Sequence, residues 1–193
     1  MPADNTQRHS LPASSPAEVL DFWFADDMRR RWFRSTPQFD ALVKDRFETR
    51  WQQAASGRLD GWAETAEGAL ALVIVLDQFP LNMYRHRAES FATEAKAIAV
   101  TKQALARGFD QALDDDGRVF LYMPLMHSES LADQDQSVAL FEAAGLTDNL
   151  RFARHHRDLV RRFGRFPHRN AILGRPSTDE ELVYLASKEA FTG

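Results

Sequence analysis

Apolar residues in this chain recur at spacings of three and four and almost never alternate, a period that predicts helices throughout. Ser15-Pro16-Ala17-Glu18 supplies an N-cap, a proline at the first helical position and a glutamate for a capping box, and "VLDFWF" follows. A second helix starts behind Ser35-Thr36-Pro37-Gln38. It carries Phe39, Leu42, Val43, Phe47 and Trp51 on one face and ends at Gly57. The segment 66–79 is apolar on nearly every side and is expected to be a helix buried all round that stops before Pro80.

Further helices are expected over 93–107, closed by Gly108, and over roughly 117–126. The same pattern places helices at 130–144, closed by Gly145, at 148–163, capped by Asp148, and at 179–190, capped by Ser177 or Thr178 with Glu180 and Glu181 in the box positions. That makes about seven or eight helices with short links, an all-α stack of antiparallel helix pairs in which Ala95, Ala97, Ala99 and Ala104 permit close approach. No tetratricopeptide signature repeats at the expected period. Residues 1–15, polar and rich in Pro and Ser, are expected to be a mobile tail ahead of one helical domain over 16–193.

Composition narrows the chemistry. With 44% hydrophobic residues the chain can bury a core, and with no cysteine it has no disulfide, thiolate nucleophile or cysteine-bound metal. The longest apolar run, "ALALVIVL" at 69–76, is far shorter than the roughly 20 residues of a membrane span, and the N-terminus lacks a signal core, so a cytoplasmic location is expected. A net charge of −4 argues against general nucleic-acid binding. Residues 151–175 nevertheless hold eight arginines against one acid, Asp158, which suits either a solvated helix face or the binding of phosphates and carboxylates.

Polar residues gather at helix ends. With Phe152 as origin on the helix 148–163, Leu159, Val160 and Phe163 form an apolar stripe, and His156 falls inside it at about 40 degrees. It is either a core histidine bonded to a backbone carbonyl or a site residue. Asp77 and Gln78 close the buried helix, where a carboxylate needs a partner; Arg85, Arg165, Arg169 and His156 are the candidates. Asn82 could cap a turn. Pro124 is expected to interrupt a helix and leave His127, Ser128 and Glu129 on a corner, with Ser128 or Ser130 capping the next helix. His-x-Glu without a third ligand is a weak metal signal, and no nucleophile elbow surrounds Ser128; neither metal nor cofactor is expected. After Gly164, the Phe166-Pro167 turn projects Arg165, His168, Arg169 and Asn170 from an irregular loop, a set suited to a carboxylate or phosphate. The structural alternative is a loop arginine on a neighbouring helix's last carbonyls, with Asp77 or Glu129 as counter-ion.

"VLDFWF", "LDQFPLNMYR" (76–85), "FATEA" (91–95), "MPLMHSESLADQDQSVALF" (123–141) and "HRDLVRRFGRFPHRNAILGRPSTDEE" (156–181) together resemble the bacterial family called domain of unknown function 924, over about residues 18–186. The resemblance implies an all-α, tetratricopeptide-like fold and no established activity. The matching positions are Asp77, Gln78, Asn82, Arg85, His127, Glu129, His156, Arg165, His168, Arg169 and Asn170. This chain has Leu81 where the family tends to carry a basic residue and His86 where it tends to carry glycine. Two functions are expected from these residues. One is a pocket for a small anionic molecule, with His127 or His156 as acid–base group and hydrolysis as the reaction that needs no cofactor. The other is an interaction scaffold for a peptide or protein, in which the same motifs are internal struts.

Overall fold

The computed structural model describes residues 15–191, and the expected mobile tail lies, apart from Ser15, outside the described residues. Helix α1 (Pro16–Trp23) begins where the Ser15 hydroxyl accepts the Glu18 N–H. The Glu18 carboxylate reaches Arg50 at 2.7 Å instead of closing the box. A short α2 (Asp26–Arg29) follows, which the sequence pattern does not announce. In α3 (Pro37–Ala55), capped by Thr36, Phe39, Val43 and Phe47 are buried; Leu42 is 44% exposed and Trp51 half-buried, so the core face is narrower than the spacing suggests.

The apolar helix does not stop before Pro80. It runs as α4 (Ala66–Val73), a π-turn (Ile74–Gln78) and α5 (Phe79–Met83). In the π-turn the Phe79 N–H reaches back five residues to the Ile74 carbonyl, which inserts one extra residue just ahead of the proline. The Leu76 carbonyl, four residues before Pro80, takes the Thr93 hydroxyl at 2.5 Å, so the ring that lacks an N–H is tolerated inside a continuing helix. By length and mean hydropathy Ala66–Met83 could cross a membrane, but 89% of it is buried inside the protein. Its apolar side chains are the centre of the main core, with Phe79 against Phe47 at 4.5 Å and Trp23 against Phe120 at 5.5 Å.

Beyond it come α6 (Glu94–Ala106), α7 (Asp115–His127), α8 (Leu131–Ala143), α9 (Thr147–Phe163) and α10 (Asp179–Leu185). Pro124 lies within α7 and does not end it, so His127 is the last helical residue and the corner is Ser128–Ser130. That short link folds α8 back against α7, and a link at Gly145 folds α9 back against α8. Leu146, not Asp148, stands at the N-cap of α9, and α10 is shorter than expected, with Thr178 and Glu181 forming its capping box. The buried face of α9 carries Ala153, His156, Leu159 and Val160, whereas Phe152 is 47% exposed; the apolar stripe is centred nearer His156 than the aromatic origin implied. A second, smaller core joins Leu159, Val160, Phe166 and Tyr184. Among the described residues there is no strand, and the fold is all-α.

Candidate functional site

The π-turn carries Asp77 into the interior at 5% exposure. Its partner is none of the cations the sequence suggested. His127 Nδ1 lies 2.9 and 3.0 Å from the two carboxylate oxygens, and Gln78 Nε2 donates to one of them at 2.6 Å. A carboxylate only accepts, so in the neutral ring Nδ1 holds the hydrogen and Nε2 keeps its lone pair. Among the described residues Nε2 has no hydrogen-bond partner, and it is not sealed from solvent; the His127 side chain is 17% exposed. The buried acid therefore orients the ring and leaves its basic nitrogen outward, the arrangement that prepares a histidine to take a proton.

Three carbonyls at the end of α7 are closed by side chains. Gln134, wholly buried, donates to Met126 and Ser128 at 2.7 and 2.6 Å, and Arg169 Nη2 donates to His127 at 2.8 Å. The alternative of a loop arginine on helix-terminal carbonyls is thus present in the structure, with Glu94 as counter-ion in place of Asp77 or Glu129: Arg169 Nη1 meets Glu94 Oε2 at 2.8 Å. The Arg169 side chain is 7% exposed, and its guanidinium lies against the rings of Phe91 and Phe166, at 4.4 and 4.7 Å. Burial raises the pKa of Glu94 against the opposing pull of Arg169 and His127.

The rest of the loop binds itself. Arg165 grips Glu181 through two bonds of 2.7 and 2.8 Å, which, with the Thr178 N–H, hold that carboxyl down at about 2. Arg175 grips Glu129 at 2.6 and 2.9 Å, and the Phe166 N–H adds a third bond at 2.8 Å. Burial pushes the Glu129 pKa up, but those donors outweigh it and the net direction is down. Asn170 donates to Ser177 and Glu181 and accepts from Arg175. Arg85 is drawn away to Asp40, and Asn82 caps the Gln78 carbonyl at 2.9 Å.

His156 matches the core-histidine alternative. Its Nδ1–H bonds the Phe152 carbonyl at 2.8 Å, its ring sits 4.7 Å from Phe191 and 5.5 Å from Phe166, and burial pushes its pKa down to about 3. His168 packs on Phe166 and Phe191 with Nδ1 buried and without a partner among the described residues, its pKa pushed to about 4 by burial and then by Arg169. Asp77, Gln78 and His127 are in direct contact, and Arg169 joins them through the His127 backbone; Arg85 and His156 make no hydrogen bond to that group. Glu94, Arg175, Glu181 and Thr93 complete the network and were not singled out as site residues by sequence reasoning, although "FATEA" and the arginine-rich tract contain three of them.

Two open clefts lie elsewhere, one of about 400 Å³ between Leu20, Phe24, Arg29, Leu70 and Asp114, another of about 210 Å³ beside Lys96 and Gln103. Among the described residues no three His, Asp or Glu side chains form a metal-binding group.

An all-α protein with a buried carboxylate–histidine pair at a π-turn is thus the class that fold and site define. The chain belongs to the family described as "Bacterial protein of unknown function (DUF924)", whose model matches residues 19–189. It is similar to a solved structure, "Structure of Protein of Unknown Function ATU0120 from Agrobacterium tumefaciens", with 44% identity and a TM-score of 0.84 over 89% of this chain and 96% of that one. No curated protein matches.

Proposed function

We propose that the protein binds a small carboxylate- or phosphate-bearing molecule beside His127 and hydrolyses it, with His127 Nε2 taking a proton from the attacking water. The observation that carries this reading is the Asp77–His127 pair: a buried carboxylate fixes Nδ1, while Nε2 has no partner among the described residues and is not sealed from solvent. A structural histidine needs no open basic nitrogen; a general base does. The ligand's anionic group would face Arg169. Such a site suits a cytoplasmic protein acting on metabolites.

Turnover of phosphomonoesters, carboxylic esters and amides by the wild type and by His127→Gln tests it. One class should be turned over and the rate should fall by about 100-fold or more in the variant, the scale of a lost general base. No turnover of any class, or turnover that survives the substitution, would overturn the reading.

One observation favours the second function, a tetratricopeptide-like interaction scaffold. Arg165, Arg175, Asn170, Glu129 and Glu181 satisfy one another, as internal struts would. On that reading His127→Gln leaves a stoichiometric partner bound, and substitution of the exposed Leu182 and Val183 releases it.

A further inference from the structure

We propose that Glu94 is an internal substitute for a ligand's anionic group, occupying Arg169 at the start of α6 until a carboxylate or phosphate oxyanion displaces it. This deepens the reading above, on which it rests for placing the ligand beside His127. Of the pairs that Arg165, Arg169 and Arg175 make with carboxylates, two are two-pronged: Arg165–Glu181 and Arg175–Glu129, whose carboxylates also accept further bonds. Arg169–Glu94 is not. It has a single contact at 2.8 Å, and among the described residues Glu94 Oε1 has no partner; it is not sealed from solvent.

The two partners also differ in freedom. Arg169 is fixed by the Phe91 and Phe166 rings and by its bond to the His127 carbonyl. Glu94 is 22% exposed and can swing outward on its own side chain. Burial already disfavours its charged form, which lowers what its departure costs.

The space it would vacate is prepared for an oxyanion. Helix α6 has 13 residues, and its N-cap residue Thr93 makes no side-chain cap; the Thr93 hydroxyl donates to the Leu76 carbonyl and accepts from Trp51 Nε1 instead. An oxyanion in place of Glu94 would accept from Arg169 Nη1 and face the uncapped N–H groups at the positive end of the helix. Neither partner alone makes this site; the buried guanidinium and the uncapped helix meet at Glu94.

Acetate and inorganic phosphate are the probes, and the ¹⁵N resonance of Arg169 Nε is the readout, since that atom is buried without an acceptor. Either anion should shift the resonance in the wild type. In Glu94→Gln the shift should come at about tenfold lower concentration, the removed competitor being a charged one. In Arg169→Lys, which lacks the fork, thermal stabilisation by either anion should vanish. A resonance unmoved in both wild type and Glu94→Gln, or moved at equal concentrations in the two, would overturn the proposal. Should Glu94→Gln not fold, the wild type still decides: the Glu94 carboxyl ¹³C resonance must move in step with Arg169 Nε, and its failure to move also overturns it. None of this depends on turnover, so loss of the hydrolytic reading and loss of this one are separate results.

Discussion

Thr93 gives its hydroxyl hydrogen to the Leu76 carbonyl at 2.5 Å while accepting from Trp51 Nε1 at 3.0 Å, so one side chain ties α3 and the start of α6 to the π-turn. Thr93→Val keeps the shape and leaves a carbonyl and an indole N–H without this partner. The unfolding free energy should fall by about 1–3 kcal/mol, the cost of a stranded buried polar group, as read from urea midpoints at unchanged slope. Because Asp77 is carried by the same turn, the His127 ring resonances should shift as well.

Arg169→Ala would strand the half-buried Glu94 carboxylate and uncover the His127 carbonyl. A broken buried pair costs about 3–5 kcal/mol, but Glu94 is partly exposed and can turn outward, so the expected loss is smaller, about 1–3 kcal/mol, mostly from the uncovered carbonyl. Adding Glu94→Gln removes the stranded charge, so the double variant should be more stable than Arg169→Ala alone. Equal losses in the two would show that no charge had been stranded.

His86 has a φ of 63°, a left-handed conformation that suits glycine. His86→Gly should raise stability by about 0.5–1 kcal/mol, since relief of the side-chain clash exceeds the added chain entropy. A lower melting temperature would contradict this.

His156 folds in its neutral form, with its pKa pushed from 6.5 down to about 3, and His168 follows to about 4. The unfolded chain takes up these protons first, so the stabilisation is complete above about pH 6.5 and is lost as pH falls from there toward 3. His156 alone contributes a slope of up to about 1.4 kcal/mol per pH unit in that window. Glu181, held at about 2, gives its own loss only below its ordinary 4.5. Denaturation of His156→Phe between pH 6.5 and 5 should therefore show a shallower pH slope than wild type, whatever its absolute stability.

Caps and breaks were legible in the sequence because they are local: Thr36, Thr178, Gly108, Gly145 and Gly164 stand where the expected helices begin or end. Pro80 and Pro124 misled because a ring without an N–H is tolerated once another donor or the surrounding packing compensates, and Thr93 lies thirteen residues beyond Pro80. The sequence points to a cation, Arg85, Arg165, Arg169 or His156, as the partner of Asp77. A carboxylate buried this deeply is satisfied instead by an imidazole and an amide, and the imidazole is fifty residues away, brought in by the docking of α7 on the π-turn. Periodicity puts His156 on the inward face where it lies, but periodicity alone does not separate a core histidine from a base; the Phe152 carbonyl, one turn back, takes its Nδ1–H.

The most direct measurement is the ¹⁵N spectrum of the His127 imidazole in the folded protein at neutral pH. The Asp77–His127 geometry predicts hydrogen on Nδ1 and a bare Nε2, with reaction of Nε2 toward diethyl pyrocarbonate while buried His156 stays unmodified. Hydrogen on Nε2, or a His127 as inert as His156, would contradict a general base at this site.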